Sequence, residues 1–196
     1  PVAPLLFEGD WAGGPPPLLT GEQERALEEI ERRLAESRFA TVLLQGVTGS
    51  GKTEVYSRAI QSCLERGRTA LLLVPEIALT PAVAELFAAR FGDRVAVLHS
   101  GLTPRERSTQ WWRLRRSEAR VAVGTRSAVF APLENLGVVI VDEEQDASYK
   151  QGESPRYHGR DTAVVRAKLE GALALLGSAT PALETSYHAR SGRYLR

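Results

Sequence analysis

The sequence predicts an α/β fold in which a mostly parallel sheet is covered by helices on both faces. Short apolar segments, each expected to be a strand, lie at about 41–45, 69–74, 95–98, 121–124, 138–142 and 172–176. Nearly continuous apolar strands that alternate with amphipathic helices are typical of a parallel sheet buried on both faces. The chain has 196 residues, of which 43% are hydrophobic, and this suits one compact domain.

Capping signals mark where the helices begin. Thr20 and Gln23 form one capping box, and Thr103 and Glu106 form a second, each before residues at helical spacing. The helices are expected at about 20–36, 52–66 and 80–91, with a fourth that begins at 103. The third has Thr80 as its expected cap and a proline at its first position.

Residues 1–18 are predicted to be a linker from an upstream domain, and residues 19–196 to be a folded lobe. The linker prediction follows from a high content of turn-forming residues. These are Pro1, Pro4, Gly9, Gly13, Gly14, Pro15, Pro16 and Pro17. The sequence contains no methionine, which suggests that it was cut from a longer protein.

The bulk composition excludes several classes of protein. No run of 18 apolar residues is present, so we expect no membrane contact and a cytoplasmic setting. Cys63 is the single cysteine, so an internal disulfide is impossible and this segment offers no zinc site. The net charge is +1, so a nucleic-acid partner would require a local basic patch.

Residues 104–126 are a candidate for such a patch. Seven arginines against Glu106 and Glu118 give this stretch a net charge of +5. The alternative is the solvated face of one helix, and both interpretations stay open. The neighbouring pair Trp111-Trp112 is expected to pack into the core.

The segment 46–53 matches the phosphate-binding pattern G-x-x-x-x-G-K-[ST] in full. Its glycines let backbone N–H groups close around phosphate oxygens, and the following helix directs its positive dipole end at them. Lys52 is expected to contact the β- and γ-phosphates of ATP, and Thr53 to hold Mg²⁺. The nucleotide-binding candidates here are Gly46, Val47, Thr48, Gly49, Ser50, Gly51, Lys52 and Thr53.

Acidic residues follow the apolar strand at 138–142. Asp142, at the carboxyl end of that strand, can hold the Mg²⁺ shell, as such acids do in phosphate-loop NTPases. Glu143 should point the other way along the pleat and could accept a proton from the attacking water. With Lys52, these two acids are the catalytic candidates. Ser178 and Thr180 follow the last strand. Small hydroxyl residues there can contact residues 142–145, the acidic motif, and can sense the γ-phosphate.

Six stretches together resemble superfamily 2 DNA helicases, and more narrowly the PriA family of replication-restart helicases. They are GVTGSGKTEVY at 46–56, LVPEIALTP at 73–81, LHSGLT at 98–103, GTRSAVFAPLENLG at 124–137, VDEEQDASYKQ with RYHGRD between 141 and 161, and GSATPALE at 177–184. The resemblance covers about 19–184 and implies the first RecA-like motor lobe of an ATP-dependent helicase.

The resemblance also implies roles at matching positions. Gln23 is expected to bind the adenine base, and a loop at 146–160 to couple DNA to ATP hydrolysis. Aromatic rings stack on unpaired bases and basic side chains contact phosphates, although this loop could also be a simple surface excursion. The DNA-contact candidates are Pro75, Glu76, Thr125, Arg126, Tyr149, Lys150, Arg156, Tyr157 and His158.

One position departs from the family pattern. Members of this family usually have His after Asp-Glu-Glu, and this chain has Gln145. Glutamine can donate and accept hydrogen bonds, so it can still bridge to Ser178 or Thr180, but it cannot become charged. The coupling candidates are therefore Gln145, Ser178 and Thr180.

The resemblance further implies a parent protein, a 3′→5′ helicase that loads the replicative helicase at stalled forks. Its second motor lobe and a zinc module are expected beyond residue 196. Single-stranded and forked DNA, primosome proteins and single-strand-binding proteins are the expected partners. Two alternatives stay open: a duplex translocase similar to RecG or Mfd, and a non-catalytic helicase-like scaffold.

Overall fold

The structure, a computed structural model, describes residues 17–79 and 81–196, without the side chains of residues 81 and 82. The expected linker therefore lies outside the described residues, apart from the exposed Pro17 and Leu18. Thr80, the expected cap of the third helix, also lies outside them. No helix of the described part has the length and apolar character needed to cross a membrane.

Strands and helices alternate along the chain as the sequence predicts. The strands are β1 (Ala40–Gln45), β2 (Thr69–Leu73), β3 (Val95–Leu98), β4 (Val121–Gly124), β5 (Leu136–Val141) and β6 (Leu173–Ser178). The helices are α1 (Gly21–Glu36), α2 (Lys52–Glu65), α3 (Pro81–Phe91), α4 (Pro104–Arg115), α5 (Gly159–Leu169) and α6 (Leu183–Arg190). Both predicted capping boxes are present, at the starts of α1 and α4.

All strands run parallel in the order β1-β6-β5-β2-β4-β3. Residues from α1, α2 and α3 cover one face of the sheet, including Ile30, Ile60 and Phe87. Residues from α4 and α5, including Leu114 and Ala163, cover the other. Because both faces are buried, the strands need apolar residues at every position, and this explains their continuous apolar runs. The predicted α/β fold is confirmed.

The helices α5 and α6 were not predicted from the sequence. Their inward faces are made of small residues: Ala163 and Ala167 on α5, and Thr185 on α6. Small buried residues give only a weak hydrophobic period, so neither helix has a clear amphipathic signal. The expected 146–160 loop therefore ends in the first turn of α5.

The strand order brings the expected motifs together at one edge of the sheet. The strands β1, β6 and β5 are neighbours, so their carboxyl ends place 46–53, 179–182 and 142–145 side by side. The carboxyl ends of β2, β4 and β3 carry the other expected contacts, at 75–76 and 125–126. Ligands of open parallel sheets bind at this edge.

Candidate functional site

The phosphate loop joins β1 to α2 and is held against β6. The backbone N–H of Gly46 donates to the carbonyl oxygen of Ser178 at 3.1 Å. Gly51, the cap residue just before α2, has a φ of 75°, in the left-handed region, and provides no side-chain cap. An uncapped helix start presents backbone N–H groups and the positive dipole end to an anion. The buried hydroxyl of Ser50 also has no hydrogen-bond partner among the described residues.

Lys52 lies at the mouth of this loop. Its Nζ donates to the carbonyl oxygen of Gly46 at 3.0 Å and to that of Val47 at 3.4 Å. The same nitrogen lies 3.7 Å from Oε1 of Glu143. The ammonium group thus sits between the phosphate loop and the acidic motif, where phosphate oxygens could replace its carbonyl partners.

Gln23 reaches the loop from the first turn of α1. Its Oε1 accepts from the backbone N–H of Thr20 at 2.8 Å, and its Nε2 donates to the carbonyl oxygen of Ser50 at 2.8 Å. A Cβ at Gly51 would collide with this amide nitrogen. The side chain therefore fixes α1 to the phosphate loop, and its predicted contact with adenine stays a prediction.

Asp142 is almost fully buried beside α2. Its Oδ1 accepts from the hydroxyl of Tyr56 at 2.9 Å, and its carbonyl oxygen accepts from the hydroxyl of Tyr149 at 2.7 Å. Burial and the neighbouring Glu143 carboxylate raise the pKa of Asp142 to about 6, while the hydrogen bond from Tyr56 and the charge of Lys52 oppose the shift. A divalent cation at this carboxylate would relieve the same repulsion.

Thr53 and Asp142 fit the requirements of a magnesium ion. A hydroxyl and a carboxylate are hard oxygen donors, and Mg²⁺ commonly takes one or two protein ligands together with phosphate oxygens and water. No group of three or more His, Cys, Asp or Glu side chains in the described ranges could hold a metal. Phosphate oxygens and water would complete the shell beside these two side chains.

The direction of Glu143 is set by a turn and not by the pleat of a strand. The strand β5 ends at Val141, one residue earlier than predicted, and Glu143 has a φ of 43°. A non-glycine residue in the left-handed region is strained, and such strain clusters at functional sites. The turn brings the Glu143 carboxylate to 3.7 Å from Nζ of Lys52, so its position results from the turn and not from the alternation that the sequence predicted.

Gln145 links Glu143 to the segment after β6. Its Nε2 donates to Oε2 of Glu143 at 2.8 Å, and its Oε1 accepts from the hydroxyl of Ser178 at 2.5 Å. The Ser178 oxygen also accepts from the backbone N–H of Thr180 at 2.9 Å. The contact from Gln145 to Ser178 is present, and it extends through Ser178 to Thr180. Its role in coupling stays a prediction.

Glu144 is a site residue that the sequence reasoning missed. It is fully buried, and its Oε2 accepts from Arg160 at 3.0 Å and from the Thr185 hydroxyl at 2.9 Å. Its Oε1 accepts from the backbone N–H of Ala182 at 2.8 Å. A carboxylate with this many partners ties α5 and α6 to the acidic motif. The available signal was Arg160, the second arginine of RYHGRD, whose partner only the folded chain identifies.

A recess lies at the carboxyl ends of β2, β3 and β4. It is lined by Glu76, Ser100, Thr125, Arg126, Ser127 and Ser148. Three of the DNA-contact candidates, Glu76, Thr125 and Arg126, thus line one surface. The hydroxyl of Ser100 donates to Oε1 of Glu76 at 2.7 Å. The three serines lie within the stretches that carry the resemblance, but none was among the predicted contacts.

Two DNA-contact candidates need correction. The Tyr149 side chain is 0% exposed and bonds to the Asp142 backbone, so its ring cannot stack on a base in this conformation. Pro75 is also buried, and its carbonyl oxygen accepts from the backbone N–H groups of Ala78 and Leu79. Both residues lie beneath the surface and are unsuited to direct contact with DNA in this conformation.

The other candidates of the 146–160 loop lie nearer to solvent. Lys150 and Arg156 are exposed. Tyr157 is half-buried and packs edge-to-face on Phe130, with ring centroids 5.2 Å apart. Burial lowers the pKa of the half-buried His158, so its imidazole favours the neutral form. Their contacts with DNA stay predictions.

The helix α4 carries much of the basic stretch 104–126. Trp111 and Trp112 are 39% and 48% exposed, so the expectation that they pack into the core is wrong. The guanidinium of Arg116 lies 5.2 Å from the ring centroid of Trp112. Arg113 donates to two backbone carbonyls near β3, and Arg115 pairs with a glutamate, so part of the positive charge serves local structure.

Comparison with known proteins agrees with this geometry. The family model of the DEAD/DEAH box helicases matches residues 20–188. Replication restart protein PriA of Bacillus subtilis (strain 168) is 49% identical over 176 residues, which cover 90% of this chain and 22% of that protein. PriA of Chlamydia pneumoniae is 51% identical over 175 residues, which cover 89% of this chain and 23% of that protein. The chain therefore spans less than a quarter of the length of these two relatives.

Solved structures show the same fold. RecG bound to a three-way DNA junction superposes with a TM-score of 0.68 at 28% identity, over 91% of this chain and 23% of RecG. The helicase domain of Hef from Pyrococcus furiosus has a TM-score of 0.56 at 22% identity, over 82% of this chain and 32% of Hef, and supports the fold alone. The chain thus belongs to the DEAD/DEAH box helicase family, as a first helicase lobe of the PriA-like type.

Proposed function

We propose that this lobe binds and hydrolyses Mg·ATP as part of an ATP-dependent 3′→5′ DNA helicase that acts in replication restart. The observation that carries the proposal is the convergence of three motifs at one point. Lys52 lies 3.7 Å from Glu143, and Gln145 bonds to both Glu143 and Ser178. A phosphate ligand, a candidate base and a candidate sensor are therefore in mutual contact.

Each group has a defined task in this proposal. The loop N–H groups and Lys52 bind the β- and γ-phosphates, while Thr53 and Asp142 hold Mg²⁺, which neutralises developing phosphate charge. Glu143 accepts the proton of the attacking water. Ser178 and Gln145 would report the state of the γ-phosphate to the segment that follows β6.

The wider setting is proposed by analogy with the PriA relatives. The lobe would work in the cytoplasm with a second motor lobe and a zinc module of the same protein, on single-stranded or forked DNA. Primosome and single-strand-binding proteins would be its partners. A RecG-like translocase is the second candidate, supported by the similarity to RecG. Unwinding of forked DNA with 3′→5′ polarity by a longer protein containing this lobe tests the first candidate against the second.

Replacement of Lys52 by alanine should weaken nucleotide binding. Loss of a charge-assisted contact should cost about 1.5–3 kcal/mol of binding free energy. Calorimetric titration with Mg·ADP measures the binding free energy. Lys168→Ala, at an exposed position of α5, is the matched control. Equal affinity of Lys52→Ala and the unmodified chain would contradict the assignment of the loop.

DNA binding by the chain alone should be weak and sensitive to salt. The net charge is +1, and the basic groups available for DNA are the exposed arginines within 104–126 together with Lys150 and Arg156 of the 146–160 loop. Fluorescence anisotropy with a labelled single strand at several salt concentrations should show an affinity that falls as salt rises, and Lys150→Ala/Arg156→Ala should make this dependence shallower. Tight, sequence-selective binding to duplex DNA would be inconsistent with this proposal.

A further inference from the structure

Tyr56 is a buried residue on the same helix as the expected phosphate ligands. It follows Thr53 by three positions and Lys52 by four, so all three lie on one face of α2. Its side chain is 1% exposed. A tyrosine hydroxyl can donate one hydrogen bond.

The hydroxyl of Tyr56 has a specific acceptor. It donates to Oδ1 of Asp142 at 2.9 Å, across a sequence separation of 86 residues. Gly177 on β6 leaves the space for this contact, because a Cβ at that position would overlap the hydroxyl oxygen and approach the ring carbon that carries it to 2.7 Å. The absence of a side chain at Gly177 therefore lets the Tyr56 hydroxyl pass β6 and reach Asp142.

The backbone of Asp142 is held separately. Its N–H donates to the carbonyl oxygen of Leu73 at 2.9 Å, and its carbonyl oxygen accepts from Tyr149. These contacts fix the main chain but leave the rotation of the carboxylate free. Tyr56 supplies a contact that sets the rotation of that side chain.

We propose that Tyr56 is a positioning residue, which holds the Asp142 carboxylate in register with the phosphate ligands of α2. The inference rests on the proposed function, in which Asp142 belongs to the Mg²⁺ shell. A hydrogen bond to a ligating carboxylate orients the ligand, and loss of such a partner typically lowers metal affinity. Because Tyr56 and Lys52 share one helix, a displacement of α2 by bound phosphate would also move the carboxylate.

The test is the Mg²⁺ dependence of ADP binding by the 196-residue chain, measured by calorimetry over a series of Mg²⁺ concentrations. Tyr56→Phe removes one oxygen and keeps the ring. It should raise the Mg²⁺ concentration for half-maximal enhancement about tenfold, the lower end of the effect of such partners. ADP binding without metal should stay within about twofold. Tyr187→Phe, on a tyrosine of α6 that is 66% exposed, is the control and should change neither quantity.

Gly177→Ala provides a second and independent variant. The added methyl group should displace the hydroxyl of Tyr56 and weaken the response to Mg²⁺ as Tyr56→Phe does. The double variant Gly177→Ala/Tyr56→Phe should be no worse than Gly177→Ala alone, because the two changes remove the same contact. Its thermal stability should recover in part, since the most severe overlap is gone.

The outcomes separate this inference from the function on which it rests. If the unmodified chain binds Mg·ADP and Tyr56→Phe has the same Mg²⁺ dependence, the positioning role is wrong and the proposed function stands. Independent, additive effects of the two substitutions would also overturn it. If the unmodified chain shows no Mg²⁺-dependent ADP binding, the proposed function fails and the inference fails with it.

Discussion

Replacement of Glu143 by glutamine should leave nucleotide binding largely intact and stop turnover in a longer, hydrolysis-competent protein. Removal of a positioned general base typically costs about 10²–10⁴-fold in rate. Glutamine keeps the shape of the side chain and can still bond to Gln145, so the site should remain assembled. The measurement is steady-state hydrolysis together with calorimetric ATP affinity, and Glu184→Gln, exposed on α6, is the matched control.

Replacement of Asp142 by asparagine, in contrast to Glu143→Gln, should impair nucleotide binding itself. An amide is a poor ligand for Mg²⁺, so Mg²⁺-dependent nucleotide binding should weaken while metal-free binding persists. Loss of the same amount of nucleotide affinity in Asp142→Asn and Glu143→Gln would show that the two acids do not divide the work as proposed. The difference between the variants is therefore the informative result.

The sheet and its ligand edge could be predicted because the relevant signals are local in sequence. Each strand is a short apolar run, and the phosphate loop is one continuous stretch of eight residues. Once the strands are parallel, their carboxyl ends must share one edge, so the meeting of 46–53 with Asp142 and Ser178 follows from topology. The capping boxes of α1 and α4 were predictable for the same reason, since each involves residues three positions apart.

What could not be predicted depends on pairings between distant segments. The partners of Glu144 lie 16, 38 and 41 residues away, and those of Arg126 lie 22 and 24 residues away. Nothing in the local sequence distinguishes a buried tyrosine that serves Asp142 from an exposed one that stacks on a base. Tyr149 was therefore assigned to the wrong environment, and Tyr56 was not singled out at all.

The correction at Tyr149 changes how its loop can communicate with the nucleotide site. Arg126 donates to the carbonyl oxygens of Ser148 and Lys150, at 2.9 and 2.8 Å, and so holds both neighbours of Tyr149. The Tyr149 hydroxyl in turn contacts the Asp142 backbone. A displacement of Arg126 would therefore reach the acidic motif through two sets of hydrogen bonds, without a direct contact between this tyrosine and DNA.

The 196-residue chain should bind ATP but hydrolyse it only slowly. Phosphoryl transfer requires positive charge on the γ-phosphate as bonds break, and an arginine finger contributes about 10³–10⁵-fold in rate where it has been removed or supplied in other NTPases. Among the described residues, the cation in contact with Glu143 is Lys52. No arginine in these ranges forms a hydrogen bond or an ion pair with Lys52 or Glu143. We expect the remaining charge to come from the second lobe of the proposed longer protein.

The arginines near the end of the chain are poorly placed to substitute for it. Leu195 forms a parallel bridge with Val42 in the first half of β1, so the final residues lie beside the amino-terminal part of this strand, whereas the phosphate loop follows its carboxyl end. Closure against a second lobe would also exclude water from the site, and one lobe cannot close on itself. Arg190, Arg193 and Arg196 should therefore add nothing to turnover.

The measurement is steady-state ATP hydrolysis by the chain, with and without single-stranded DNA, beside a longer protein that includes the second lobe. We expect the longer protein to be faster by at least 10³-fold, the lower end of the contribution of an arginine finger. Binding of Mg·ATP by the short chain, measured in parallel, distinguishes slow chemistry from an empty site. DNA-stimulated turnover of the short chain at a rate similar to that of the longer protein would contradict the prediction, and would mean that all catalytic groups lie between Gln23 and Thr180.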